Sequence, residues 1–315
     1  MSRKAVIGLW GCALSLFMGS APPVAAREPV AVVRIAERGV VPENLTSMRD
    51  GTILIGSYGK GTIYRAAPGA DRAEPWIAAG TQGMTRSMGL WADERRGRLW
   101  VCAPGPRKTD SRPAGTSFVR TFDLRTGAVR TAYPMAEGGS CNDLTMAADG
   151  TVYASDMAGR IFRLRRGERA FAVWATDPAL AGADGLALLA DGDLYVNSYR
   201  SGGMMRVPVA KGGSAGAVRR LTLDRALENP DGMRRVGPDR LLVAEGVGRL
   251  TELTVRGERV SVRTVRDGIA DSPTGVTLVG GVAYVTQARW DALQSPEADR
   301  GVFTATAIPY SPVHR

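Results

Sequence analysis

Short apolar runs separated by polar turns recur along most of the chain. The middle residues of six such runs lie 42 to 53 residues apart, and turn pairs such as Asp149-Gly150 and Asp191-Gly192 precede most of them. A third apolar run and often a fourth follow within the same repeat. Runs of this length indicate β-strands, and no segment has a sustained helical period with caps. The six runs are centred on Leu54, Trp100, Tyr153, Tyr195, Leu242 and Tyr284.

Six repeats of four short strands predict an all-β, six-bladed β-propeller with four-stranded blades, formed by one domain of residues 27–315. The last repeat lacks an outer strand after Phe303, whereas residues 30–35 form an apolar run outside the repeats. We therefore expect an N-terminal strand to complete the last blade, which removes two exposed sheet edges. A β-solenoid is the alternative, but its repeats would be shorter and more regular.

The first 26 residues are typical of a secretory signal peptide. Arg3 and Lys4 precede an apolar stretch at residues 5–18, and Val24-Ala25-Ala26 provides small residues for cleavage. The apolar stretch is shorter than the roughly 20 residues that a transmembrane helix needs. We therefore expect a protein that is exported, to the periplasm or the medium, and has no stable membrane span. A retained N-terminal anchor is the alternative.

Composition excludes several kinds of chemistry and one kind of partner. The 315 residues include one histidine, His314, so a Ser-His-Asp triad, a Cys-His dyad and a histidine zinc site are not expected. The formal net charge is +10, but basic residues are scattered in runs of two at most, and only 6% of residues are aromatic. We therefore expect no nucleic-acid partner.

Polar residues start the innermost strand of most predicted blades. In a propeller these strands line a central channel, so residues of the same register meet near the axis. The residue after this position is glycine in four of the six repeats, which we expect to let the chain turn tightly inward. The six aligned positions are Glu43, Met88, Asn142, Asp184, Asp231 and Thr274.

Three carboxylates and an amide at one level of a channel indicate a cation site. The carboxylates would repel one another unless their pKa values rise or a cation lies between them. Oxygen ligands without imidazole or thiolate favour Ca²⁺, with Mg²⁺ or Mn²⁺ as alternatives. Each residue alone could instead cap a turn, and a metal in the channel could be purely structural.

The same end of the channel carries two cysteines and a long connection. Cys102 ends one strand and Cys141 precedes Asn142 in the next repeat, so we predict a disulfide that stabilises the fold by about 3–4 kcal/mol. Residues 103–117 form the long connection, which contains Arg107, Lys108 and Arg112. These cations could contact an anionic ligand, or the segment could be an exposed insertion without a role.

Four motifs make the chain resemble the family of senescence marker protein, gluconolactonase and luciferin-regenerating enzyme, which are six-bladed propellers. The resemblance implies that Glu43, Asp184 and Asp231 bind a divalent cation, and that Asn142, with Asp143 beside it, contacts the substrate. The motifs are Pro42-Glu43-Asn44, Asn142-Asp143, Asp184-Gly185-Leu186-Ala187 and Pro230-Asp231-Gly232-Met233.

Three departures from the family pattern concern the metal and the substrate. Asp184 replaces an asparagine ligand, which keeps an oxygen donor and adds a negative charge. Ser140 stands where the family has an arginine, which removes a contact to a sugar-type substrate. Pro42-Glu43-Asn44 replaces a Glu-Gly-Pro motif. The fold and the metal site are therefore expected to carry over better than the substrate.

The expected function is hydrolysis of a lactone or related ester of small-molecule size by an exported enzyme. The cation would polarise the carbonyl and acidify water, and Asp231 is the candidate general base, with Asp143 as second choice. The alternative is a propeller that binds a ligand or partner without catalysis, with a structural metal or none. A strictosidine-synthase-like propeller fits less well because it would not need carboxylates around the axis.

Overall fold

The computed structural model describes residues 31–105, 116–295 and 297–312. This part of the chain forms six β-sheets arranged as a six-bladed propeller, as predicted. Its helical segments are short 3₁₀ turns, and none is long and apolar enough to cross a membrane. The predicted signal peptide, His314 and most of the long connection at 103–117 lie outside the described residues.

Each blade contains four antiparallel strands, of which the innermost lies beside the axis. Blades 1 and 2 contain β2 (Pro42–Ser47), β3 (Ile53–Ser57), β4 (Ile63–Ala66) and β5 (Glu74–Ile77), then β6 (Leu90–Asp93), β7 (Arg98–Ala103), β8 (Phe118–Asp123) and β9 (Val129–Pro134). Blades 3 and 4 contain β10 (Leu144–Met146), β11 (Val152–Asp156), β12 (Arg160–Leu164) and β13 (Ala172–Thr176), then β14 (Ala183–Leu188), β15 (Leu194–Ser198), β16 (Met204–Val207) and β17 (Arg219–Arg220).

Blades 5 and 6 depart from the simple repeat of four consecutive strands. In blade 5 a short extra strand, β18 (Thr222–Leu223), runs parallel to β22 (Arg259–Arg266) at the outer edge and makes the sheet five-stranded. Blade 6 takes its outer strand, β1, from the start of the described chain. The strands are β18 (Thr222–Leu223), β19 (Pro230–Arg235), β20 (Arg240–Glu245), β21 (Arg249–Arg256) and β22 (Arg259–Arg266), then β1 (Val32–Ile35), β23 (Pro273–Val279), β24 (Val282–Gln287) and β25 (Phe303–Pro309).

The N-terminal strand closes the ring, as predicted. Strand β1 pairs antiparallel with β25, with Val32 opposite Thr306 and Ile35 opposite Phe303. Val33 and Ile35 are buried in an apolar cluster that also contains Leu45 and Ile55 of blade 1. The strand therefore joins the last blade to the first through both backbone hydrogen bonds and side-chain packing.

Among the described residues, short 3₁₀ turns connect successive blades at Thr81–Gly83, Ala136–Gly138 and Pro178–Leu180, and a fourth at Trp290–Leu293 lies within blade 6 between β24 and β25. Asp177 caps the third, since its carboxylate accepts a hydrogen bond from the amide of Ala179 at 2.7 Å. The apolar residues of the strands pack between neighbouring blades, as where Leu54 and Ile63 of blade 1 contact Leu90 of blade 2. The core is therefore a ring of clusters between blades, and the axis itself is polar.

Ile35→Ala should destabilise the protein by about 2–5 kcal/mol, because it leaves a cavity where blade 6 meets blade 1. Urea unfolding measures the change. The matched control is Arg34→Ala on the same strand, whose side chain is 55% exposed and should change stability by at most about 0.5 kcal/mol. Equal, small effects of both substitutions would show that β1 does not hold the ring closed.

Candidate metal and substrate site

The predicted channel residues converge on one cavity. Glu43, Asn142, Asp184 and Asp231, from four different blades, line a cavity of about 510 Å³ at one mouth of the channel. Met88 lies on the same wall, as the alignment of repeats predicts. Thr274 does not line the cavity. Its hydroxyl instead contacts the carbonyl of Pro42 and the hydroxyl of Thr286.

A shared irregularity of strand pairing occurs at the site positions of four blades, those of Glu43, Asp184, Asp231 and Thr274, whereas the blade of Asn142 pairs regularly. In four blades the pairing of the innermost strand skips residues at the same place, for example between Pro42 and Leu45 and between Pro230 and Met233. Bulges of this kind free a residue from the ladder and redirect its side chain. In these four blades the backbone two residues before the site position is left-handed, with φ of 44° at Val41, 80° at Gly182, 50° at Asn229 and 56° at Ser272.

The glycines after the site positions allow neighbouring inner strands to pack closely, whereas we expected them to make a tight inward turn. Gly89, Gly185, Gly232 and Gly275 do not have positive φ, so they do not make the inward turn. A Cβ on Gly232 would lie 2.7 Å from the carbonyl oxygen of Thr274 in the next blade, and one on Gly275 would lie 2.9 Å from the Cα of Asn44. These positions are glycine because neighbouring inner strands approach too closely for a side chain.

Polar residues on the second strand of some blades bond the backbone beside the site positions. The Asn197 amide accepts a hydrogen bond from the Gly185 amide at 3.1 Å and donates one to the Asp231 carbonyl at 2.7 Å. The Ser155 hydroxyl accepts from the Asp143 amide at 3.0 Å, and that of Thr286 from the Gly275 amide at 2.9 Å. We did not anticipate these residues, although each lies two positions after the centre of an apolar run of the repeat.

Cys102 occupies the same register of blade 2 and forms a disulfide with Cys141, as predicted. The two Cα atoms are 5.2 Å apart, and both residues are fully buried. Cys141 precedes Asn142, whose side chain lines the cavity. The disulfide therefore ties blade 2 to the backbone that presents Asn142.

Reduction of the denatured protein should expose two more titratable thiols than the non-reduced protein shows, because Cys102 and Cys141 are paired. A thiol-reactive chromophore with and without reductant gives this difference directly, whatever the state of Cys12. Equal thiol counts in the two samples would rule out the bond.

The acidic residues of the site are removed from water and close to one another. Glu43, Asp184 and Asp231 are 3%, 4% and 6% exposed. Burial, reinforced by the neighbouring carboxylates, raises the pKa of Glu43 and of Asp231 well above the usual range. Burial and the charge of Asp143 raise the pKa of Asp184 to about 8, although side-chain hydrogen bonds with Asn142 and Asp231 oppose the rise.

Several oxygens of the site have no partner within the described chain. They are Oε2 of Glu43, Oδ1 of Asn142 and Oδ1 of Asp231, and all three are buried. Buried polar atoms are nearly always bonded, so these oxygens fit a ligand that supplies positive charge or donors. Carboxylate and amide oxygens are the donors that a hard divalent cation prefers. Among the described residues, however, no three acidic, histidine or cysteine side chains already form a metal cluster.

A buried network on the axis supports the floor of the site. Arg234 Nη1 contacts Asp143 Oδ2 at 3.0 Å and Nη2 contacts Asn44 Oδ1 at 3.0 Å, while Asn44 Nδ2 donates to Asp143 Oδ1 at 3.3 Å. Asp143 is 1% exposed and does not line the cavity, whereas Asn142 does. Of the two residues expected to contact substrate, only Asn142 therefore lies on the cavity wall.

The outer wall carries aromatic and cationic groups that we did not anticipate. The Tyr58 and Trp290 rings are in edge contact with centroids 5.3 Å apart, and Arg86 lies over Tyr58 and donates to its hydroxyl at 3.2 Å. Tyr199 completes this wall near Asp184 and Asp231, and burial with those charges raises its pKa. Arg86 precedes Met88 by two residues, just as Ser140 precedes Asn142, so the register contained a signal for it.

Fold and site together define a six-bladed β-propeller with an acid-lined cavity at one mouth of its channel. No family model matches the chain, and no curated protein matches it by sequence. Solved structures with the same fold do match, and they agree with the expected resemblance to gluconolactonase-like propellers.

Three of these structures illustrate the likeness. A structural-genomics target provisionally described as a gluconolactonase has a TM-score of 0.64 and 15% identity, covering 93% of this chain and 96% of its own. A gluconolactonase from Xanthomonas campestris has a TM-score of 0.60 and 15% identity, with 86% and 88% covered. Virginiamycin B lyase from Staphylococcus aureus has a TM-score of 0.57 and 12% identity, with 88% and 98% covered. At these identities the likeness establishes the fold, which hosts more than one chemistry.

Without divalent cations, the protein should lose stability as the pH rises from about 4 to about 8. The site carboxyls ionise near pH 4 in the unfolded chain, whereas in the folded protein Asp184 has a pKa of about 8 and those of Glu43 and Asp231 are also raised. The folded state therefore holds protons that the unfolded state releases, and its advantage is lost as pH passes through the folded pKa values.

Urea midpoints measured in EDTA at pH 5, 6, 7 and 8 test this, with Asp184→Asn as the matched variant that should flatten the fall. Excess Ca²⁺ should also flatten it. A midpoint that does not change with pH in EDTA would contradict the prediction.

Proposed function

We propose that this protein is an exported, divalent-metal-dependent hydrolase of a lactone or related ester. The observation that carries the proposal is the set of unpartnered, buried oxygens on Glu43, Asn142 and Asp231 at one mouth of the channel. Uncompensated carboxylates at such a place are costly for the fold, so they point to a ligand.

The metal ligands in this proposal are Glu43, Asp184 and Asp231, with Ca²⁺ as the expected ion and Mg²⁺ or Mn²⁺ as alternatives. When bound, the cation would polarise the ester carbonyl and make water more acidic. The low exposure of the three carboxylates supports this assignment, because a site shielded from water strengthens electrostatic interactions.

Asp231 is the proposed general base. Its Oδ1 is buried and unpartnered, and the residue lines the cavity, so it can accept a proton from a water beside the substrate. Asp143, the second candidate, is bonded to Arg234, Asn44 and the amide of Leu144 and lies off the wall. Asn142 is the residue proposed to orient the substrate, since it lines the cavity.

The cavity suits a small substrate with an apolar part. Its volume of about 510 Å³ lies within the usual range for small-molecule sites. Tyr58, Trp290, Met88 and Met157 contribute apolar surface to its lining. Arg86, held by the Tyr58 hydroxyl and the Gly105 carbonyl, provides a guanidinium that can take the place of the arginine missing at Ser140.

Export to the periplasm or the medium belongs to the same proposal. It is supported by the signal-like character of residues 1–26 and by the buried disulfide, which is typical of an oxidising compartment.

Asp231→Asn should lower kcat/KM on a lactone panel by at least about 100-fold, because the amide can neither accept the proton nor carry the charge. EDTA should abolish turnover of the wild type, and Ca²⁺ should restore it. The control is Asp71→Asn, an exposed carboxylate far from the cavity, which should retain full activity. Turnover that survives both EDTA and Asp231→Asn would end the metal-hydrolase proposal.

A propeller that binds a ligand without catalysis is the second candidate. Ser140 favours it, because this residue lies on the cavity wall where the family resemblance leads us to expect an arginine. A large rise in melting temperature on adding Ca²⁺, without hydrolysis of any lactone or ester in the panel, would support it over the enzyme.

A further inference from the structure

The opposite mouth of the channel contains a second, larger cavity of about 1010 Å³. It lies beyond the far ends of the innermost strands, where hairpins such as the one between β2 and β3 project. Nine basic residues line it against three acidic ones, Asp93, Glu94 and Asp149. The basic residues are Arg49, Arg95, Arg96, Arg163, Arg165, Arg166, Lys211, Arg234 and Arg235.

The propeller topology gathers these cations, although they are scattered in the sequence, because the connections after the first and the third strand of a blade lie at the same end. Arg49 lies in the β2–β3 hairpin of blade 1, and Arg95 lies in the corresponding hairpin of blade 2. Arg166 follows β12 of blade 3, and Lys211 follows β16 of blade 4. Residues that no sequence window brings together thus surround one concave surface.

The acidic residues of the cavity do not neutralise this charge. Asp93 pairs with Arg96 at 3.3 Å, Glu94 lies 3.9 Å from Arg49, and Asp149 accepts from the Thr151 amide at 2.8 Å. Arg95, Arg166 and Lys211 have no polar partner in the described chain. The cavity therefore keeps a surplus of positive charge.

Other cations of the cavity are fixed in place and incompletely bonded. Arg165 Nη2 donates to the Gly212 carbonyl at 2.8 Å, and Arg163 donates to the carbonyl of Gly213. Nε of Arg163 and Nε of Arg234 are buried and have no partner within the described residues. Preorganised guanidinium groups with unused donors are suited to phosphate and carboxylate groups, which they bind through paired hydrogen bonds.

We propose that this basic cavity binds a small polyanion that carries two or more phosphate or carboxylate groups. The cavity is concave and of small-molecule size, and the buried Arg234–Asp143–Asn44 network lies on the axis between it and the acidic cavity. A flat basic stripe with several aromatic residues would instead favour nucleic acid. This cavity is concave, and the aromatic residues of its lining are the two side chains of Trp91 and Tyr153. This site is independent of the proposed hydrolase activity.

Calorimetric titration with inorganic tripolyphosphate and, separately, citrate tests the proposal and distinguishes the two anion types. Metal-free protein is used because both probes chelate divalent cations. The variant is Arg95→Glu/Arg166→Glu, two exposed cations of the cavity. The matched control is Arg256→Glu/Arg259→Glu, which makes the same charge change at an exposed hairpin of blade 5 outside the cavity.

We expect at least one probe to bind the wild type and the control alike, and to bind the cavity variant at least tenfold more weakly. Added salt should weaken binding, since screening reduces the attraction. Failure of both probes to bind, or equal loss in both variants, would overturn the proposal. Binding of single-stranded DNA but neither small probe would also overturn it. If the charge reversals prevent folding, Arg95→Gln/Arg166→Gln replaces them.

Discussion

The close approach of the innermost strands around one axis is the constraint on which the rest of the structure depends. A Cβ on Gly185 would lie 2.7 Å from the amide nitrogen of Met233, and one on Gly89 would lie 2.5 Å from Asp143 Oδ1. The position after each site residue must therefore be glycine or a polar side chain that bonds across the axis. Asn44 and Asp143 are the two exceptions to glycine, and they bond to each other.

The crowded axis also carries more acidic than basic side chains. Arg234 is the cation of the axial network, and Asp143 already compensates it at 3.0 Å. Glu43, Asp184 and Asp231 then share one cavity wall with no basic partner bonded to them in the described chain. Each carboxylate makes ionisation of the others harder, so the site must hold protons or a cation. Carboxylates that only cap turns would not need to meet in one cavity from three different blades.

The sequence predicts the fold, the ring closure and the disulfide well, because all three depend on a repeat that is visible in the apolar pattern. It also predicts which polar residues meet, since register alone places Glu43 beside Asp231. It does not predict why glycine follows them, because close approach between blades is a tertiary contact. Arg86 was missed although its position two residues before Met88 was a signal, and Trp290 was missed since it lies on a connection. The basic cavity was missed since its cations share no aligned position of the repeat: some follow the first strand of a blade and others the third.

The cavity at one mouth of the channel is acidic and the cavity at the other mouth is basic. The acidic wall has a consequence for the proposed reaction. Hydrolysis of a neutral lactone produces a carboxylate in a cavity whose wall carries three acidic groups. When all three are ionised, one bound divalent cation would leave that wall with a net negative charge, and the wall would repel the product more than the neutral substrate. In the proposed reaction, the extra negative charge of Asp184, compared with an asparagine ligand, would therefore favour product release.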